Sequence, residues 1–227
     1  MKNKTYTVFI IDDHPLIFDA YKAALNYYSK RNESINFSIH AAKDCDEGLY
    51  LISKFSEEKK IVDLVFLDIS IPPSKDGKIL SGEDLGLKIN SILPGTKIIV
   101  STTFNDNYRV NSILKSLNPD GFLIKNDLTH KELLETINVV LNNPPYYSKT
   151  VLKLFRNQGA NDLLLDDLDR KILYELSIGT RMKELPEVLP LSIGGIEKRK
   201  RRLKEIFNIK SGEDKELILV AKSKGFI

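Results

Sequence analysis

The chain has 227 residues, of which 42% are hydrophobic and 29% charged, and this composition fits a globular protein of two modest domains. It contains no apolar run of the ~18–20 residues that a membrane span requires, and its single cysteine excludes a disulfide framework. We therefore expect a cytoplasmic protein with no membrane partner. The net charge of +3 conceals a local excess, because six of the basic residues lie within Lys198–Lys204.

The first 141 residues alternate between short apolar strands and amphipathic helices. Strands are predicted over 6–11, 35–41, 61–67, 97–101 and 121–124. Helical spacing of apolar residues follows each strand, over 16–28, 44–55, 83–92, 106–117 and 129–141. Alternating strands and helices with apolar central strands form a parallel sheet that is covered on both faces. The predicted fold class is therefore α/β, a (βα)5 doubly wound parallel sheet, followed by a second domain.

A proline pair, Pro144 and Pro145, ends the last of these helices and marks the limit of the first domain. We place the first domain at 1–145, a linker at 146–162 and a second domain at 163–227.

The second domain is predicted to be all-α, because its apolar residues recur at helical spacing. One stripe runs over 168–176 and ends at Gly179, and two further helices are predicted over 192–207 and 213–225. Ser192 is the expected N-cap of the 192–207 helix.

Polar side chains stand at the carboxyl ends of four of the predicted strands: Asp12 and Asp13, Asp68, Thr102, and Lys125. These ends meet at one edge of a parallel sheet, which is where such sheets bind ligands. Carboxylates this close repel one another unless a cation is present, and hard oxygen ligands suit Mg²⁺. A lysine and a hydroxyl beside them are groups that bind phosphoryl oxygens.

These residues lie in the motifs "IIDDHP", "FLDISIP", "VSTTF" and "GFLIK", and in this order they resemble the receiver domain of two-component response regulators. The resemblance covers nearly all of 5–141. It implies a flavodoxin-like sheet of strand order 2-1-3-4-5. It also implies that a sensor histidine kinase passes a phosphoryl group to Asp68, and that the only chemistry is self-phosphorylation and slow autodephosphorylation, so that the protein is not an enzyme.

The same resemblance implies a Mg²⁺ site. Asp13 and Asp68 would bind the ion through their carboxylates, Asp12 through a water molecule, and Ser70 through its backbone carbonyl oxygen. His14 follows the acidic pair in sequence, but its sequence neighbours offer it no partner, so we expect a loop role for it.

A switch is implied as well. Thr102 would hydrogen-bond the new phosphoryl group, Lys125 would pair with it, and Phe122 would turn inward as Thr102 moves. Between Pro72 and the next helix the chain is longer than in most receivers, by roughly six residues, and glycines at 77 and 82 suggest a flexible or hairpin-like excursion.

The basic run lies on the predicted 192–207 helix, which is apolar on one side and basic on the other, as expected of a helix in a DNA major groove. Residues 165–209 resemble a LuxR/NarL-type helix-turn-helix domain. Its base-reading positions carry over to Glu197, Lys198 and Arg201. The remaining basic residues would serve phosphates or the domain surface: Arg199, Lys200, Arg202 and Lys204.

Together the two resemblances indicate a NarL-type response regulator that binds double-stranded DNA and forms a homodimer when phosphorylated. One alternative is a protein-binding output domain, because Pro186, Gly194 and Gly195 depart from the helix-turn-helix pattern. A remote alternative is a Mg²⁺-dependent phosphohydrolase with Asp68 as nucleophile, but those enzymes carry a second carboxylate two residues on, where this chain has Ser70.

Overall fold

The computed structural model describes residues 4–104, 107–156, 165–209, 214–224 and 226–227, and only the backbone of residues 107 and 108. The predicted positions that lie outside these ranges are 106, 157–164, 213 and 225. The chain folds into two compact units.

The first unit is built on a six-stranded, wholly parallel sheet of order β2-β1-β3-β4-β5-β6. The strands are β1 (Lys4–Ile11), β2 (Ile35–Ala42), β3 (Leu64–Asp68), β4 (Lys97–Thr102), β5 (Gly121–Ile124) and β6 (Tyr146–Tyr147). The helices are α1 (Pro15–Arg31), α2 (Cys45–Glu57), α3 (Gly82–Ile92), α4 (Asn107–Leu117), α5 (His130–Asn142) and α6 (Lys149–Arg156). Of α4, only the part from Ile113 onward groups with this unit, and the part up to Ser112 groups with the second. The predicted α/β class and the order of the first five strands are confirmed.

Both faces of the sheet are covered, as the apolar central strands predict. Along β1, Val8 and Ile10 belong to a core that includes residues of α1 and α5. Phe9 packs edge-to-face on Phe55 of α2, on the other face. Since successive side chains of a strand point to opposite faces, the run of buried residues in β1 serves two cores at once.

Cys45, the first residue of α2, is buried in the second of these layers. Burial, together with the nearby carboxylates of Asp84, Asp44 and Asp46, raises the pKa of its thiol to about 12. The thiol is therefore uncharged and unreactive at neutral pH.

Two differences from the predicted elements concern the sheet. Strand β3 begins at Leu64 and not at residue 61, because the Asp63 side chain accepts a hydrogen bond from the Thr7 amide at 2.7 Å and Ile61 is exposed. The sixth strand, β6, lies at the start of the segment 146–162 that the sequence predicts as linker. The Tyr146 and Ser148 amides donate to the carbonyls of Asp120 and Phe122. The domain limits themselves stay predictions.

The second unit contains helices α7 (Asp167–Ser177), α8 (Leu185–Val188), α9 (Ile193–Ile206) and α10 (Asp214–Ser223). Its core consists of two clusters, one between α7, α9 and α10 and one between α7, α8 and α9. Ser192 caps α9 as predicted, because its hydroxyl accepts a hydrogen bond from the Gly195 amide at 3.2 Å. The second unit is all-α within its described residues, which confirms the predicted class.

The proline at 186 does not break the helix that holds it. Pro186 stands in the first turn of α8, where its missing N–H would have no intrahelical partner in any case. Gly179 follows the end of α7 with φ of +95°, a conformation that favours glycine. These positions are therefore compatible with a helix-turn-helix arrangement of α8 and α9.

Candidate functional site

Four strand ends bring the predicted acidic, hydroxyl and lysine side chains together. Asp12 directly follows β1, Asp68 is the last residue of β3, Thr102 is the last residue of β4, and Lys125 directly follows β5. Asp12, Asp68 and Thr102 are buried, and the Lys125 side chain is only 5% exposed. A buried group of this composition can persist only if its charges compensate one another.

Lys125 is the centre of that compensation. Its Nζ atom lies 2.7 Å from Oδ2 of Asp68 and 2.8 Å from Oδ2 of Asp12. One ammonium group therefore contacts carboxylates from two separate strands, and when both are ionised the cluster retains an excess negative charge. The second Asp68 oxygen, Oδ1, accepts the Ser70 amide at 3.0 Å.

Burial raises the pKa of Asp68 above the ordinary value for an aspartate. The charge and hydrogen bond of Lys125 and the Ser70 amide lower this pKa in part, whereas the negative charge of Asp12 raises it further. A second cation would stabilise the ionised form of Asp68, which is the form that can act as a nucleophile.

A divalent cation fits the donor set at this edge. Carboxylate oxygens of Asp12, Asp13 and Asp68 and a ring nitrogen of His14 lie within 4.8 Å of one another. Three carboxylates provide the hard oxygen ligands that Mg²⁺ prefers. The proposed use of the Ser70 backbone carbonyl as a ligand stays a prediction.

The expectation that His14 has no partner is wrong. Its Nδ1 atom lies 2.7 Å from Oδ1 of Asp13 and 3.3 Å from Oδ1 of Asp12, and its amide donates to that Asp12 oxygen at 3.0 Å. His14 precedes Pro15 at the start of α1, and this short turn folds the imidazole back over the acidic pair. This contact could not be predicted from sequence, because it depends on the backbone conformation of the turn.

The two predicted switch residues are buried. The Thr102 hydroxyl accepts the Phe104 amide at 3.2 Å, and Phe122 of β5 is fully enclosed. Two further buried hydroxyls, those of Tyr21 and Ser101, lie near the acidic group, and Tyr21 was not among the predicted residues. Burial raises the Tyr21 pKa, the Ser101 hydroxyl beside it lowers it in part, and the charges of Asp12 and Asp68 raise it again. The phenol therefore remains neutral.

Gly82, the first residue of α3, allows the chain to pass against the phospho-acceptor candidate. A Cβ atom at this position would lie 1.8 Å from the backbone oxygen of Asp68, so that no other residue fits without a backbone shift. The Gly82 amide also donates to the carbonyl of Ile69 at 3.0 Å. From sequence this glycine suggested a flexible or hairpin-like excursion, whereas its role is close packing.

The long connection before α3 is a closed turn. The Ser74 amide donates to the Ile79 carbonyl at 2.8 Å, and the Ile79 amide donates to the Ser74 hydroxyl at 3.0 Å. That hydroxyl also donates to Asp76 at 2.7 Å, and Gly77 has φ of +67°. Ser74 and Ile79 are buried, so this connection is hairpin-like and internally bonded, as one of the two predicted forms.

The basic residues of α9 separate into two groups. Glu197, Lys198 and Arg201, the predicted base-reading residues, are exposed and make no side-chain hydrogen bond or ion pair with any described residue. The other four basic residues are paired with carboxylates of the same unit: Arg199, Lys200, Arg202 and Lys204.

Curated relatives extend over nearly the whole chain. The oxygen regulatory protein NreC of Staphylococcus epidermidis is 26% identical over 217 residues, which is 90% of this chain and 92% of that protein. The transcriptional regulatory protein MctR of Rhizobium johnstonii is 22% identical over 204 residues, 89% of this chain and 87% of its own length. No protein-family model matches the chain.

Solved structures show the same two-part fold. RcsB of Salmonella typhimurium aligns with a TM-score of 0.63 and 22% identity, over 99% of each chain. RcsB of Salmonella enterica serovar Typhimurium, bound to promoter rprA in the presence of the phosphomimetic BeF3⁻, aligns with a TM-score of 0.66 and 20% identity, over 96% of this chain and 99% of that one. None of the helices in the described ranges has the length and apolar character needed to cross a bilayer.

The converging acidic site, the six-stranded parallel sheet, the all-α second unit and the near full-length similarity to transcriptional regulators agree with one another. Over nearly its whole length the chain is similar to response regulators of the NarL/LuxR type.

Proposed function

We propose that this chain accepts a phosphoryl group on Asp68 from a sensor histidine kinase and then binds double-stranded DNA through α9. The observation that carries the first step is the contact of one buried lysine, Lys125, with both Asp68 and Asp12 at 2.7 and 2.8 Å. An isolated ion pair would need only one carboxylate, whereas a cluster with excess negative charge is arranged to take further cations.

In phosphoryl transfer the Asp68 carboxylate oxygen attacks phosphorus, the bond from phosphorus to the donor nitrogen or oxygen breaks, and the leaving group takes up a proton. Lys125 pairs with the Asp68 carboxylate before the transfer and would pair with the phosphoryl oxygens after it. Asp12, Asp13 and Asp68 would hold Mg²⁺, which neutralises phosphoryl oxygens when bound. His14 keeps the Asp13 carboxylate oriented beside them.

The proposed switch uses two buried residues at the neighbouring strand ends. The Thr102 hydroxyl, which accepts the Phe104 amide, would donate to the new phosphoryl group, and the packing around the enclosed Phe122 would change with it. This change in packing would favour a homodimer, and a dimer would bind paired half-sites on DNA.

The proposal for DNA binding is supported by the exposed face of α9. Lys198 and Arg201 lie on it beside Glu197 without internal partners among the described residues, as side chains that read base edges must. The solved relative RcsB is described as bound to promoter DNA, and NreC and MctR are named as regulators. A cytoplasmic location stays a prediction.

The first step is tested with a small phosphodonor and Mg²⁺. Wild-type chain is expected to take up one phosphoryl group, and Asp68→Asn none, measured by intact mass. Asp76→Asn, which removes an exposed carboxylate from the turn nearby, serves as the control and is expected to be labelled like the wild type. Labelling of Asp68→Asn would contradict the site assignment.

The second step is tested by selection of bound duplexes from a random pool, with and without the phosphodonor. The expected result is enrichment of a paired motif that is stronger after phosphorylation. Lys198→Ala with Arg201→Ala should weaken the selected site and reduce the salt dependence of binding. Failure to enrich any duplex, with Asp68 phosphorylated, would favour a protein-binding output domain instead.

A further inference from the structure

The recognition helix α9 is tied to α7 by one set of ion pairs. Arg199 donates to Asp166 at 2.7 Å and to Asp169 at 2.8 Å, and Arg202 lies 3.4 Å from Asp169. Asp169 is fully buried and also closes a capping box with Asp166 at the start of α7. Removal of either arginine would leave a buried carboxylate poorly compensated, so these arginines have a structural role.

A second set ties α9 to α10 through a single carboxylate. Asp214 accepts from Lys200 at 2.5 Å and lies 3.2 Å from Lys204. The two lysine side chains are only 13% and 18% exposed, whereas Lys198 on the same helix is exposed. Partial burial would raise the Asp214 pKa, but the hydrogen bonds and charges of Lys200 and Lys204 hold it below the ordinary value.

The Asp214 carboxylate forms ion pairs with two lysines that could otherwise bind a DNA phosphate. Lys200 and Lys204 are one turn apart on α9, and both ammonium groups converge on the Asp214 side chain. An aspartate and a phosphate oxygen present the same chemistry to an ammonium group. Asp214 is 36% exposed at its side chain, so its removal takes away the carboxylate that the two lysines share without opening the core.

We infer that Asp214 is a specificity-determining residue, which rests on the proposed DNA-binding function: it holds Lys200 and Lys204 on the protein and keeps them from sequence-independent contacts with DNA phosphates. Base reading is thereby left to Lys198, Arg201 and Glu197. Since phosphate contacts provide affinity but no sequence information, each lysine that is withheld improves discrimination between specific and non-specific duplexes.

The test begins on the full chain without DNA. Asp214→Asn is compared with Asp167→Asn, which removes one charge from α7 where the carboxylate pairs with Lys171 and not with α9. Brief treatment with an amine-acetylating reagent is followed by peptide mass spectrometry. In the wild type and in Asp167→Asn, Lys200 and Lys204 should be modified several-fold more slowly than Lys198. In Asp214→Asn, Lys200 and Lys204 should be modified at a rate similar to that of Lys198.

The second measurement is a salt titration of binding to a non-specific duplex and to the selected site. For Asp214→Asn the slope of log Kobs against log salt should steepen by about 0.9 for each lysine that reaches a phosphate, beyond any change in Asp167→Asn. Affinity for the non-specific duplex should rise about five- to tenfold at low salt, with a smaller rise for the specific site.

The two measurements separate the possible failures. Unchanged modification of Lys200 and Lys204 in Asp214→Asn would overturn the inference whatever the DNA result. Faster modification, with a slope equal to that of Asp167→Asn, would overturn the specificity role but not DNA binding. Faster modification with no binding of any duplex by the wild type would reject the proposed function, and the specificity role with it.

Discussion

The strand-end cluster of the first unit and the basic helix α9 of the second use charge in opposite ways. In the first, Asp12, Asp68 and Lys125 are distant in sequence and meet in a buried group where one cation serves two anions. In the second, adjacent basic residues diverge around a helix, and four of them pair with carboxylates of the same unit. Proximity along the chain is therefore a poor guide to the charge that a partner meets, whereas topology is a good one.

The largest expected effect comes from the removal of the shared cation. Lys125→Met leaves Asp12 and Asp68 buried without it and should cost about 3–5 kcal/mol of stability near neutral pH. The loss should shrink on acidification, because Asp68 then takes up a proton. Hydrogen exchange of the β3 and β4 amides measures this. Lys78→Met, at an exposed pair, is the control and should stay within ~0.5 kcal/mol.

Equal losses of stability in Lys125→Met and Lys78→Met would show that the strand-end cluster behaves as an exposed surface ion pair.

A smaller effect is expected from glycine replacements in the two regions. Gly82→Ala places a Cβ atom 1.8 Å from the Asp68 carbonyl oxygen and should cost about 1–3 kcal/mol and slow phosphorylation. Gly194→Ala in α9, where a Cβ atom meets nothing within 4 Å, should stabilise by ~0.5–1 kcal/mol. Urea unfolding measures the stability of both variants, and phosphodonor kinetics measures the rate of phosphorylation of Gly82→Ala. Wild-type kinetics and stability for Gly82→Ala would show that the strand end adjusts freely.

The smallest effect is a pH dependence of opposite sign in the two regions. The Asp68 pKa is raised on folding, so that its contribution to stability falls as pH rises from about 4 through the folded pKa. The pKa values of Asp166 and Asp214 are lowered, because the charges and hydrogen bonds of their basic partners outweigh burial. Their contribution is present above about pH 4 and is lost as pH falls below it.

Amide exchange measured across pH 3–6 without divalent cations should show protection of α9 lost on acidification, with β3 retained. Addition of Mg²⁺ should remove the contribution of Asp68, since a bound cation favours its ionised form. The same pH response in both regions would remove the contrast between them.

The strand-end site could be predicted from sequence because a parallel sheet collects the carboxyl ends of its strands at one edge. The period of apolar residues locates those ends, and Asp12, Asp68, Thr102 and Lys125 follow from them. Gly82, the contact of His14 with Asp13 and the Asp214 carboxylate could not be predicted in this way. Each depends on the path of a turn or on the packing of two helices, which periodicity does not determine.

The sheet itself shows the same limit. Strand β6 has two residues after a proline pair, too few for a periodic signal, and only its backbone pairing with β5 identifies it. The reverse holds at the start of β3, where an apolar run predicts a longer strand than the ladder contains. There the Asp63 side chain accepts the hydrogen bond of the Thr7 amide, which a backbone carbonyl of the neighbouring strand would otherwise accept.

The closed turn of residues 74–79 has a practical consequence. Ser74 and Ile79 anchor it in the protein, and its tip carries Lys78, whose side chain is 81% exposed. The lone native thiol, Cys45, is buried with a pKa raised to about 12. Lys78→Cys would thus accept a single fluorophore without removal of the native cysteine, on a rigid mount close in sequence to Asp68, and its emission could report phosphorylation in real time.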